Sequence, residues 1–154
     1  MTNSIVFTLH LLSAVVWVGG MFFAYMALRP VAASVLEPPA RLTLWAGVFS
    51  KFFPWVWMSI LLLMGTGYWM VFNIFNGFSG LPIYIHVMNG LGMVMILIYL
   101  HVFFAPFRRL KQAVATQDWP AGGSKLAQIR LLIGLNLIVG ISTIIIAGGG
   151  RYLG

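Results

Sequence analysis

The sequence predicts an all-α integral membrane protein: a single transmembrane domain, residues 1–154, built as a four-helix bundle with both termini on the outer side. Three observations predict it. Of 154 residues, 61% are hydrophobic and 7% are charged, whereas soluble domains carry roughly 25% charge. Four apolar runs are each long enough to cross about 30 Å of hydrocarbon, which takes roughly 20 helical residues. The basic residues gather at one end of those runs. A chain this short keeps much of its surface exposed, so it could not hide that much apolar surface from water. A soluble globule and a disordered tail are both excluded.

The first span covers about Ile5 to Leu28. Its leading residues Met1-Thr2-Asn3-Ser4 carry no Lys or Arg, and the apolar run is long, so it does not read as a signal peptide. The next segment, Arg29 to Lys51, holds Pro38-Pro39 followed by Leu42, Leu44, Trp45, Val48 and Phe49 at helical spacing. It predicts a helix over about 39–51 that lies along the membrane surface or extends the second span, with Pro54 marking a bend. Span two is about Phe52 to Phe75 and span three about Leu81 to Phe107. Asp118-Trp119-Pro120-Ala121-Gly122-Gly123 reads as a turn before span four, about Leu126 to Ala147.

Charge fixes the orientation. Arg29, Arg41, Lys51, Arg108, Arg109, Lys111, Lys125 and Arg130 fall on one membrane side, and Arg151 falls on the other. Such a bias marks the cytoplasmic side. Both termini and the short loop Asn76–Gly80 then face outward, which is the periplasm in a Gram-negative cell. The net charge of +7 belongs to cytoplasmic connections and not to a nucleic-acid surface.

Absent residues remove whole classes of chemistry. There is no cysteine, hence no disulfide, thiolate metal site or thiol nucleophile. The only acids are Glu37 and Asp118, both in cytoplasmic connections, so carboxylate pairs and intramembrane proton-carrying acids are excluded. No phosphate-binding loop, nucleophile elbow or zinc-protease motif is present. Redox chemistry carried by a cofactor survives this elimination.

The three histidines, His10, His86 and His101, all lie inside predicted spans, where ionisable side chains are costly and usually face the bundle interior. Each by itself could serve as a hydrogen bond between helices. Depth adds a second reading. His10 and His86 each sit roughly 7 Å below the outer interface on helices that run the same way. Two imidazoles at one level are what an edge-on haem b needs for its two axial positions. Arg151, after Gly148-Gly149-Gly150, is an outer-side partner for haem propionates or a headgroup anchor. Tyr84, Asn76 and Asn89 add hydrogen-bonding groups there. Gly19-Gly20, Gly65, Gly67, Gly90 and Gly92 suit helix packing and a flat cofactor equally.

His101 lies about 22 Å below His86 and about 60° around the helix. A second haem there would need Met21, Met26 or Met58 as its other ligand; otherwise His101 is structural, part of a proton path or faces quinone, with Arg108 or Lys51 nearby. Thioethers bind Cu(I), so the nine methionines keep copper open. Most of them read as ordinary apolar filler, and Trp17, Trp55, Trp57 and Trp69 read as interface belt or packing. Span four, with Gly134 and Gly140, offers a surface for a homodimer.

The string His10-Leu11-Leu12-Ser13-Ala14-Val15-Val16-Trp17-Val18-Gly19-Gly20 resembles the opening helix of the CopD copper-resistance family. It is also distantly similar to the first helix of the HemJ family, four-helix membrane proteins tied to protoporphyrinogen oxidation and haem. Ile85-His86 and His101-Val102-Phe103-Phe104-Ala105-Pro106 before Arg108-Arg109 look like small CopD-like bacterial membrane proteins. The resemblance implies His10 as a haem or metal ligand and a bacterial inner-membrane location. HemJ proteins carry an essential Lys in their third helix, and span three here has none. CopD proteins are longer, with more spans and a periplasmic partner. The function expected is a b-type cytochrome. One haem b on His10 and His86 would pass electrons between quinol and an outer acceptor, with or without turnover as a haem-dependent oxidoreductase. The alternatives are a copper-binding or copper-transporting protein and a non-catalytic haem carrier or sensor.

Overall fold

A computed structural model describes residues 1–152. Four long helices run up and down: α1, Thr2–Val35; α2, Pro38–Asn73; α3, Ile83–Ala115; and α4, Trp119–Tyr152. All four are long and apolar enough to cross a membrane, and no strand occurs among the described residues. At 1.5 Å per residue each reaches about 50 Å, well beyond the hydrocarbon thickness of about 30 Å.

The helices therefore run further than apolarity alone predicts. Residues 39–51 form no separate surface helix; they are the first part of α2, which continues unbroken past Pro54. Leu42, Trp45, Ala46 and Phe49 are buried there, so packing holds the segment upright. The Asp118–Gly123 string is not a wide turn either. Only Thr116–Asp118 separates the helices. Asp118 caps α4, its side chain accepting from the Ala121 N–H at 3.3 Å. Pro120 sits in the first turn, where no N–H is needed. Gly122 lies inside α4, where a Cβ would stand 3.1 Å from Leu42 Cδ1; its lack of a side chain lets α4 approach α2.

Two irregularities shape the bundle. α1 widens into a π-type turn at Ala24–Leu28 before Pro30. α3 breaks at Ala105 and resumes at Pro106; a proline suits the opening of the new helix because the first turn needs no N–H from it. The resumed part buries Phe107, Leu110 and Ala113 and exposes Arg108, Arg109 and Lys111. α1 packs along α2, and α3 along α4. Between the pairs, large rings set the spacing: Phe53 meets Tyr99 at 5.4 Å and Phe107 at 4.7 Å, and Trp17 meets Tyr99 at 6.2 Å.

The bundle has two unlike ends. The basic end, at the Leu36–Glu37 and Thr116–Asp118 turns, carries eight of the nine cations. Some cations lie on aromatic faces, such as Arg29 over Tyr25 and Lys111 over Phe107, each at 4.7 Å. The opposite end carries both termini and the Ile74–Pro82 connection.

The glycines of α4 serve the fold. A Cβ on Gly134 would stand 3.0 Å from Tyr25, and one on Gly140 would stand 3.0 Å from Val18 and 3.1 Å from Met95. Gly134 and Gly140 are thus taken up by α1 and α3 of the same chain, whereas Ile138, Ile141 and Ile145 of α4 stay exposed.

Candidate functional site

His10 sits on α1, about 12 Å from the start of that helix by its eight-residue offset. It is half-buried, and its Nδ1 lies 2.8 Å from Thr66 Oγ1 of α2. The hydroxyl of Thr66 donates to the Leu62 carbonyl one turn back. That commitment decides the imidazole's tautomer. The Thr66 proton is used, so its oxygen accepts and His10 Nδ1–H donates. A neutral His10 then carries an unprotonated Nε2 with a free lone pair. Metal-binding histidines are held in this way, one ring nitrogen fixed by a second partner and the other left to coordinate.

Gly67 completes the cradle. A Cβ there would stand 3.3 Å from His10 Cε1, so the ring rests against the backbone of α2. One residue on, Tyr68 donates its hydroxyl to Asn89 Oδ1 of α3 at 3.5 Å, an exposed and long contact. Three helices thus bring His10, Thr66, Tyr68 and Asn89 to the end that bears the termini.

The other expected residues lie elsewhere. His86 is exposed on α3, and so are Gly90, Met93, Leu97, His101 and Phe104. These six positions share one outward face of the helix. The His10 imidazole is bonded to Thr66, and His86 is exposed on α3. His101 joins neither. Arg151 is exposed beside its neighbour Tyr152, 5.7 Å from the ring. Tyr84 packs on Gly150, where a Cβ would meet its Cβ at 2.6 Å. Gly20 accommodates the Phe52 ring, and Gly19 faces open space. Among the described residues, no group of three or more His, Asp or Glu stands together.

Two residues of this picture carry a signal that sequence reading passed over. Thr66 and Asn136 are buried polar side chains in long apolar runs, and the cost of polar groups in hydrocarbon alone marks them.

A family model described as Copper resistance protein D, CopD, matches residues 46–149. The chain belongs to the CopD family. The match takes in most of α2, all of α3 and nearly all of α4 and leaves out α1, so it bears on the scaffold that faces His10 and not on His10 itself. No curated protein and no solved structure matches the chain. Membership in CopD agrees with four lipid-spanning helices, and it directs attention to copper.

Proposed function

We propose that this CopD-family protein handles copper in the membrane, with His10 Nε2 as a ligand at the end that bears the termini. The observation that carries the reading is the Leu62–Thr66–His10 chain, which leaves Nε2 free to bind a metal. Imidazole and thioether suit Cu(I), and the chain has no thiolate to compete. The bias of Lys and Arg to the opposite end supports a bacterial inner-membrane orientation with His10 near the outer side.

Titration of the purified protein with Cu(I) against a coloured Cu(I) chelator tests this. His10→Ala is expected to lower Cu(I) affinity by roughly 100-fold, about 2.7 kcal/mol. Unchanged binding in that variant would remove His10 from the site.

A second reading is haem b, and the same free Nε2 favours it. Space beside Gly65, Gly90 and Gly92 is open. With His86 facing outward, such a haem would hang on His10 alone unless α3 turned. Arg151 and Asn89 would be the nearby polar groups, and His101 would serve a second haem or a quinol. Electron transfer from quinol, and a homodimer through the exposed His86–His101 face of α3, belong to this reading. One absorption spectrum separates the two: a Soret band at one equivalent favours haem, and a colourless Cu(I) adduct favours copper.

A further inference from the structure

An open groove of about 810 Å³ runs along α2 near the basic end. Ala40 and Gly47 add little bulk to its lining, and Leu36, Leu44, Val48 and Phe52 make it apolar. A Cβ on Gly47 would meet nothing within 4 Å, so no described residue fills the space there. The polar side chains of the lining are Thr43 and Lys51.

Lys51 stands thirteen residues past Pro38, the first residue of α2, and so about 20 Å from the basic end of the bundle. By the same count Arg29, Arg41, Arg108, Arg109, Lys111 and Lys125 lie within about 10 Å of that end, and Arg130 about 16 Å from it. The helices exceed the hydrocarbon by about 20 Å. Lys51 therefore lies at or inside the hydrocarbon border, however that excess divides between the two ends. A cation at such a depth needs an anion or a reach to the headgroups. The two acids do not supply the anion, because Glu37 and Asp118 stand at the turns of the basic end, about 20 Å away.

Arg41, the other cation on this part of α2, is engaged elsewhere. Its guanidinium donates to the Leu36 carbonyl at 2.9 Å and to the Ala33 carbonyl at 3.3 Å, which closes the end of α1. Lys51 is exposed. Side chains on a helix lean toward its N-terminus, which for α2 is the basic end. A lysine stem can cover apolar surface while its ammonium reaches headgroup level.

We propose that the groove holds one anionic phospholipid of the leaflet at the basic end, with an acyl chain along Gly47 and Val48 and the phosphate on Lys51. Charge complementarity chooses this occupant: a molecule with an apolar tail and an anionic head matches an apolar groove whose lining carries a single cation. An uncharged chain would leave Lys51 unpaired, and inorganic phosphate would leave the apolar lining uncovered. The Thr43 hydroxyl donates to the Pro39 carbonyl at 2.8 Å. Its oxygen is left as an acceptor, which suits a headgroup hydroxyl and not the phosphate. The site stands on the membrane fold and is independent of the copper reading of His10.

Native mass spectrometry of the delipidated full chain in detergent, titrated with phosphatidylglycerol or phosphatidylcholine, counts bound lipid directly. The expected result is one tightly held phosphatidylglycerol, preferred over phosphatidylcholine by about fivefold, the worth of one lysine near an anionic surface. Lys51→Met should erase that preference, and Lys51→Arg should keep it. Gly47→Leu, placed where a Cβ meets nothing within 4 Å, should fill the groove and lower the binding of both lipids. Arg109→Met, which removes an exposed cation outside the groove, should change nothing. Equal binding of the two lipids by the unmodified protein would overturn the proposal. So would a preference that survives Lys51→Met, or one that Arg109→Met reduces as much, since the basic end as a whole would then be attracting anionic lipid. Full competition by inorganic phosphate would also overturn it, leaving Lys51 as an ion site without a lipid.

Discussion

The two ends of the bundle are held together by different physics. Toward the basic end, Trp45, Phe49, Phe53 and Phe107 form one run of ring contacts at 4.7–6.1 Å, and Leu110 and Ile129 are completely buried. Toward the end with the termini, few side chains are buried, among them Ser13, Thr66, Val71 and Ile85. Helices there meet through single polar contacts, His10 with Thr66 and Tyr68 with Asn89. Packed rings fix helix spacing tightly, because interiors at crystal-like density deform little. Polar contacts between half-exposed helices yield more easily. The difference teaches that the basic end sets the architecture, while the opposite end is free to adjust around a ligand.

Substitutions should divide along the same line. The largest effect is expected at Phe53, which touches Phe49, Tyr99, Phe103 and Phe107. Phe53→Ala should cost roughly 3–5 kcal/mol, read as a fall in thermal midpoint in detergent. A midpoint unchanged from the parent protein would mean that the ring cluster does not set the fold. His10→Ala comes next, with its loss of about 2.7 kcal/mol in Cu(I) binding. Here the midpoint should hold, since a half-exposed side chain at the loose end is removed. Thermal destabilisation as large as that of Phe53→Ala would erase the contrast between the ends.

Thr66→Val is smaller. The partner that holds a ligating histidine typically contributes 10- to 100-fold in metal affinity, and valine keeps the shape while deleting the acceptor for Nδ1–H. Cu(I) affinity should fall by about tenfold and recover in Thr66→Ser, whose hydroxyl makes the same two bonds. Failure of serine to restore binding would separate the hydroxyl from the site.

Much of this architecture was legible in the sequence, and the reasons are physical. Lipid demands uninterrupted apolar runs, so the four spans stand out, and the distribution of Lys and Arg separates the two ends. Helix limits were less legible. Arg41, Lys51, Lys125 and Arg130 look like the borders of spans, yet α2 and α4 run past them because a helix outside the hydrocarbon tolerates charge. Rotation was not legible. The Ile83–Phe104 part of α3 is largely apolar all round, so its sequence gives little contrast between a face toward the bundle and a face toward lipid. Depth alone suggested His10 and His86 as a pair, and it carried no sign that His86 lies exposed on α3. Trp17 read as belt or packing, and the structure makes it packing: it is buried, edge-on to Tyr99 of α3.

The smallest and sharpest test compares two glycines, one at each end. Alanine in place of a helical glycine gains roughly 0.5–1 kcal/mol from backbone entropy. At Gly122, in the packed end, the new Cβ would stand 3.1 Å from Leu42 Cδ1 and 3.5 Å from the Ala113 Cβ. Leu42 is itself 3% exposed and has little room to move. Overpacking of this kind costs roughly 1–3 kcal/mol, so Gly122→Ala should lower the thermal midpoint despite the entropic gain. At Gly67 the nearest atom is His10 Cε1 at 3.3 Å, the edge of a half-exposed ring that can shift by a few tenths of an ångström. Gly67→Ala should therefore leave the midpoint unchanged or raise it, while displacing Nε2 enough to weaken Cu(I) binding severalfold. If Gly67→Ala destabilised the fold as Gly122→Ala does, the end near the termini would be as tightly packed as the basic end. An imidazole fixed in that way would have no freedom to adjust around an incoming ion.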